Sequence, residues 1–190
     1  MDHVISGVAK FQKEVYPNKK ATFQKLATGQ NPEVLFITCS DSRIDPNLVT
    51  QTDPGELFIC RNAGNIVPPH SNQTGGMTAS IEFAVAALGV SHIVICGHTD
   101  CGAMKGAINP EGLSALPHVK EWLGHCRVAT EVVKERCGHS DLSIDDLEAV
   151  TKENVVQQIQ HLRTHPAVAA KIATGQVKLH GWVYNIGSGE

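Results

Sequence analysis

The 190-residue sequence contains no apolar run of membrane-spanning length, so no transmembrane helix is expected. It has no polybasic stretch either. Acidic and basic side chains are interspersed and the formal net charge is −3, which leaves no footprint for a nucleic acid. The opening Met1-Asp2-His3-Val4-Ile5-Ser6-Gly7-Val8 lacks a basic segment followed by a sustained apolar core, so a secretory leader is not expected and a cytoplasmic protein is. Internal repeats, low-complexity segments and linkers are also missing. Residues 1–190, 42% of them hydrophobic, therefore read as a single α/β domain with a sizeable core. Six cysteines could in principle pair as three disulfides, but the chain is too long and regular for a disulfide-stapled miniprotein. Reduced thiols are expected.

What the sequence does contain is a pair of short motifs, Cys39-Ser40-Asp41-Ser42-Arg43 and His98-Thr99-Asp100-Cys101-Gly102. Together they offer two thiolates, an imidazole and a carboxylate, a full donor set for a tetrahedral zinc ion. Each motif follows a short apolar run rich in β-branched residues, Val34-Leu35-Phe36-Ile37-Thr38 and His92-Ile93-Val94-Ile95-Cys96, which reads as a buried strand of a parallel sheet. Ligands of open α/β sheets bind beyond the carboxyl ends of the strands, so two neighbouring strands could aim distant residues at one ion. In an extended segment Cys39, Asp41 and Arg43 project to one side, as a ligand, a switchable acid and its anchor. Gly102-Ala103-Met104-Lys105-Gly106 reads as a helix start.

Helical spacing of Val4, Ile5, Val8, Phe11 and Val15 predicts an amphipathic helix ending before Pro17. A second short helix is expected over 21–28, a longer one over 74–88, and helices over 116–137, 144–163 and 167–173, with an interruption at 138–141. Residues 177–184 alternate like a late edge strand. The expected class is therefore α/β, with a mainly parallel central sheet flanked by helices and an N-terminal helical arm over 1–28.

The other polar candidates have plainer readings. Cys60 and Cys96 fit small buried hydrophobes, and Cys126 fits a packed helical position. Cys137-Gly138-His139 offers two donors in a turn without a third. His118, His125, His161 and His165 are expected on solvated helix faces. Gly97, just before His98, fits a close backbone approach.

CSDSR followed by HTDCG resembles the β-class carbonic anhydrases, in which such motifs supply zinc ligands and an Asp–Arg dyad. The likeness runs from about residue 30 to 106, includes Pro54-Gly55-Glu56-Leu57-Phe58 and Arg61-Asn62-Ala63-Gly64-Asn65, and resumes at Leu179-His180-Gly181-Trp182-Val183-Tyr184. It implies reversible hydration of carbon dioxide to bicarbonate and a proton. One zinc per chain would be held by Cys39, His98 and Cys101, with Asp41 either held by Arg43 or turned onto the metal. The resemblance further implies a substrate pocket involving Gln30, Phe58 and Phe83, helped by the Gly102 N–H. Pocket residues in the family come from two subunits and its N-terminal helices reach across to a partner, so a homodimer or higher even oligomer is implied. Phe36 stands where an allosteric subgroup of the family carries tryptophan, so no bicarbonate switch is expected.

Charge sets the chemistry. Zinc with two thiolates and an imidazole is neutral, whereas three histidines leave +2 and bring its water to a pKa of about 7. A weaker Lewis acid follows, and activity should rise into the alkaline range. Asp41, held by Arg43, would orient the zinc-bound hydroxide. Two other readings use the same motifs: a zinc hydrolase of carbon disulfide or carbonyl sulfide, and a non-catalytic zinc-stabilised scaffold. A structural zinc is normally closed by Cys and His, so Asp41 argues against the scaffold.

Overall fold

A computed structural model describes residues 1–72, 74–138 and 140–190. At its centre four strands pair in parallel: β1 (Val34–Cys39), β2 (Leu57–Asn62), β3 (His92–His98) and β4 (Lys178–Tyr184), in the spatial order β2-β1-β3-β4. β1 and β3 are the inner pair. They are covered on both faces, which is why their sequences are continuously apolar rather than alternating. Leu35, Ile37, Ile93 and Ile95 face one cluster, while Phe36, Val94 and Cys96 face the other. β4 takes the edge expected of it. β2, at the other edge, had no strand signature of its own, because only Cys60 along it is buried.

The N-terminal arm is one longer helical segment than the sequence suggests. α1 (Asp2–Lys10) passes through a π-helical stretch, Phe11–Val15, directly into α2 (Tyr16–Leu26), so the helix does not end before Pro17. Pro17 lies in the first turn of α2, just past the widened stretch, where its missing N–H and ring are tolerated. None of these residues is buried. Phe11, Tyr16 and Phe23 cluster ring on ring, with centroids 5.5 to 6.2 Å apart.

The remaining helices are α3 (Pro46–Thr50), α4 (Gly76–Glu82), α5 (Gly102–Ile108), α6 (Pro117–Trp122), α7 (Arg127–Cys137), α8 (Leu147–Thr164) and α9 (Pro166–Ala173). α4 continues as a π-helical stretch through Ala87. α7 ends at Gly138 with φ +68°, a left-handed cap glycine. α8 presses closely on β3 and β4. A Cβ on Gly97 would lie 3.0 Å from Val155 Cγ2, and one on Gly181 would lie 2.8 Å from Val155 Cγ1. The close approach expected at Gly97 is therefore made by α8.

Two of the four helical histidines depart clearly from the solvated reading. His165 is buried, its Nε2 donating to the Pro68 carbonyl at 3.0 Å, and His161 is half-buried with Nδ1 2.7 Å from the Val67 carbonyl. His125 is half-buried against the Trp122 ring, and His118 is exposed as expected. The cause is shared: residues 67–68 run beneath α8 and α9, and their carbonyls need donors. The Cys137–His139 pairing cannot be followed, since His139 is outside the described residues. Among the described residues no helix is long and apolar enough to cross a membrane.

Candidate metal centre

Cys39 is the last residue of β1, and His98 the last of β3. The chain leaving β1 is held by Arg61, whose Nε donates to the Cys39 carbonyl at 3.0 Å. Its Nη2 donates to the Asp41 carbonyl at 2.7 Å and to the Ile44 carbonyl at 2.9 Å. The chain leaving β3 turns at Asp100, φ +57°, and delivers Cys101 as the residue that precedes α5. The Tyr184 carbonyl of β4 pins that turn by accepting the Thr99 N–H at 2.9 Å.

These two strand ends bring Cys39, His98 and Cys101 together. All three are buried, and their donor atoms lie within 4.8 Å of one another. Among the described residues no other group of three or more His, Cys, Asp or Glu converges in this way. His98 Nδ1 donates to the Thr99 carbonyl at 2.9 Å, which leaves the Nε2 lone pair facing the cluster. That atom is buried with no hydrogen-bond partner. A buried acceptor left bare beside two thiols is what a metal ligand looks like without its metal, and a set of two sulfurs and one nitrogen suits zinc.

Charge within the cluster is uneven. The Cys101 thiol donating to it, 3.9 Å away between sulfurs, and the Gly64 N–H at 3.4 Å hold the Cys39 pKa far below an ordinary thiol. The same contact and burial push Cys101 up. Burial alone raises Cys126 to about 12, and it drives Cys96 to about 11 against a hydrogen bond from Thr38. Those two stay thiols, as does Cys60. All six cysteines are free, and Cys137 is exposed.

Asp41 stands at the rim, Oδ2 3.8 Å from His98 Nε2. It is turned toward Arg43, which grips both oxygens: Nε donates to Oδ1 at 2.9 Å and Nη2 to Oδ2 at 2.7 Å, while the Arg43 N–H adds a third bond at 3.0 Å. This grip holds the carboxyl well below the usual carboxylate range. Asp41 is therefore ionised and held by Arg43 at the rim of the Cys39, His98 and Cys101 cluster.

Two of the four expected pocket residues, Phe58 and Phe83, are in contact, ring centroids 6.0 Å apart. Phe83 is half exposed, and Gln30 is exposed. Gly102 opens α5 next to Cys101. A cavity of about 770 Å3 lined by Arg61, Asn62, Trp122 and His125 touches none of the four.

Several supporting residues had no signal in the sequence strong enough to assign them. Gly64, φ +84°, and Asn65, φ +49°, form a left-handed corner that aims the Gly64 N–H at Cys39. That corner is held from α8. Asn154 Nδ2 donates to the Gly64 carbonyl at 3.1 Å, and Gln158 links Asn154 to the Val67 N–H. The Asn154 that holds Gly64 lies 90 residues away from it in the chain.

Comparison with known proteins places these features. The sequence profile of the family described as Carbonic anhydrase matches residues 34–190. A carbonic anhydrase of Pseudomonas aeruginosa is 48% identical over 189 residues, covering 100% of this chain and 85% of that protein. The solved β-carbonic anhydrase CcaA superposes with a TM-score of 0.95 at 41% identity, covering 100% of this chain and 92% of the other. One of two tetrameric β-carbonic anhydrases from Sordaria macrospora superposes with a TM-score of 0.85 at 32% identity, over 100% of this chain and 93% of its own.

Proposed function

The chain belongs to the β class of the carbonic anhydrase family, and from that premise we propose that it interconverts carbon dioxide and water with bicarbonate and a proton. Cys39, His98 and Cys101 hold one zinc. The observation that carries this reading is the pairing of a buried cluster of two sulfurs and one nitrogen with an adjacent carboxylate that Arg43 holds at both oxygens.

Zinc at this position supplies a Lewis acid that makes a water nucleophilic near neutral to alkaline pH. The chain's own residues do the rest. Asp41, kept anionic by Arg43, accepts a hydrogen bond from the attacking water and fixes its remaining lone pair toward the carbon of the substrate. His98 is kept in the tautomer that leaves Nε2 free by its bond to the Thr99 carbonyl. The Gly64 N–H draws charge from the Cys39 sulfur, partly offsetting the damping effect of two thiolates. Gln30, Phe58, Phe83 and the Gly102 N–H form the substrate pocket, completed by a second subunit.

Assembly as a homodimer or higher even oligomer fits the exposed apolar row Val4, Ile5, Val8, Phe11 and Val15 on the arm, which a second copy would cover. The Sordaria relative is described as tetrameric. Six free cysteines suit a reducing, cytoplasmic setting.

Stopped-flow carbon dioxide hydration by the zinc-loaded protein, followed from about pH 6.5 to about pH 9, tests the reading. Turnover that climbs with pH is expected. No turnover at any pH with zinc at one per chain would overturn it and turn attention to carbon disulfide and carbonyl sulfide.

A further inference from the structure

Arg43 does more than grip Asp41. Its Nη1 donates to Asp100 Oδ2 at 3.0 Å, and its Nη2, already bonded to Asp41, also donates to the Asp100 main-chain carbonyl at 3.1 Å. The guanidinium is thus held at both ends, by Asp41 on one side and Asp100 on the other. A planar fork with partners on two edges has one orientation, whereas a fork with one partner can swing out to solvent. This matters because the Arg43 side chain is 43% exposed, so the Asp41 contact competes with water.

Asp100 is itself well placed to act as an anchor. It sits between the ligands His98 and Cys101, in a turn fixed by two bonds: the Tyr184 carbonyl accepts the Thr99 N–H at 2.9 Å, and Thr99 Oγ1 accepts the Ile186 N–H at 3.1 Å. Its φ of +57° is a left-handed conformation that few non-glycine residues adopt, and it presents carbonyl and carboxylate to the same guanidinium. The other carboxylate oxygen, Oδ1, is paired with Lys105, one helical turn along α5. The carboxylate therefore links the first turn of α5 to the dyad.

We propose that Asp100 is a positioning residue of the reaction: its carboxylate and carbonyl lock the Arg43 guanidinium in the orientation that grips Asp41 and keeps that carboxylate turned away from the metal ligands. The proposal rests on the dyad reading given above. Asp100 touches neither substrate nor metal and acts only through Arg43. Lys105 neutralises the second oxygen and is not needed for the lock.

The test uses the full-length protein. Asp100→Gly preserves the left-handed turn, because glycine takes positive φ freely, and removes only the carboxylate. Steady-state kinetics are measured beside metal content and the visible spectrum of the cobalt-substituted protein titrated with azide. The variant should keep one metal per chain and an unchanged KM, lose about tenfold in kcat, the order expected for one charge-assisted hydrogen bond, and show a weakened spectral response to azide as Asp41 turns to the metal. Asp100→Asn, which keeps a neutral acceptor, should recover part of both. Lys105→Met should match the wild type within about twofold.

Wild-type kcat and wild-type azide response in Asp100→Gly would overturn the proposal. So would loss of metal from that variant, which would place Asp100 in the architecture of the ligand loop, or an equal defect in Lys105→Met. A wild-type protein with no carbon dioxide hydration would overturn the proposed function instead, and the azide comparison would still decide the role of Asp100.

Discussion

Cys39 Sγ and Cys101 Sγ lie 3.9 Å apart across 62 residues of intervening chain. The distance is set by the sheet: β1 and β3 are hydrogen-bonded neighbours, so residues leaving their carboxyl ends converge. Either thiol alone is an ordinary buried cysteine; together with His98 Nε2 they form a donor set. Replacing Cys39 or Cys101 by alanine should therefore remove the metal together with activity, leaving far less than one zinc per chain by atomic emission. Full metal occupancy in either variant would break the ligand assignment.

The same pair makes a prediction about protons. Without metal, the Cys101 thiol donates to Cys39, which is held as thiolate, and Cys101 keeps its proton because its neighbour is already charged. Burial opposes charging of His98, but the Cys39 thiolate beside it outweighs that and raises its pKa. Metal uptake at about pH 7.5 should then release about one proton, from Cys101, and more as the pH is lowered and His98 takes up a proton in the free site. Calorimetry in buffers of different ionisation enthalpy reads the number directly. A value near zero would mean that both sulfurs are already ionised in the free site.

The inner strands and the clustering of Cys39, His98 and Cys101 were legible in the sequence because their signals are local. β1 and β3 are uninterrupted apolar runs, and each ligand pair falls within three or four residues of a strand end. β2 was not legible: edge placement leaves it half-exposed, and Arg61 within it is spent on the carbonyls of Cys39, Asp41 and Ile44. The arm's continuity through Pro17 was hidden because proline usually marks a boundary, whereas here a π-helical stretch precedes it. Asn154 and Gln158 are polar side chains with no burial signal in the sequence, yet both are buried. Only the packing of α8 shows that they hold the Gly64 corner, whose N–H reaches Cys39.

Arg43 makes three hydrogen bonds to the Asp41 carboxylate, two of them from the guanidinium. Arg43→Ala removes those two and leaves the ligands untouched. The expected outcome is normal zinc content with kcat reduced by about a hundredfold or more, comparable to losing a positioned acid–base group. Arg43→Lys should restore charge without the two-point grip and recover only part of the loss. Full activity in Arg43→Ala would remove the dyad from the mechanism.

Gly181 tests how closely the scaffold is drawn onto the site. It pairs with Ile95 in the β3–β4 ladder, and a Cβ there would lie 2.8 Å from Val155 Cγ1 and 2.9 Å from Ile159 Cδ1. Val155 is stiff at χ1, so the strain of Gly181→Ala must be taken up by moving α8. Overpacking of this kind costs about 1–3 kcal/mol. The urea midpoint should fall with the m-value unchanged, at matched protein concentration because assembly contributes to stability. Val155→Ala in the same background should return part of the loss by clearing the space. An additive loss in the double variant would show that the helix does not bear on this strand. It would also loosen the link from Asn154 to the metal-site loop, since both residues ride on α8.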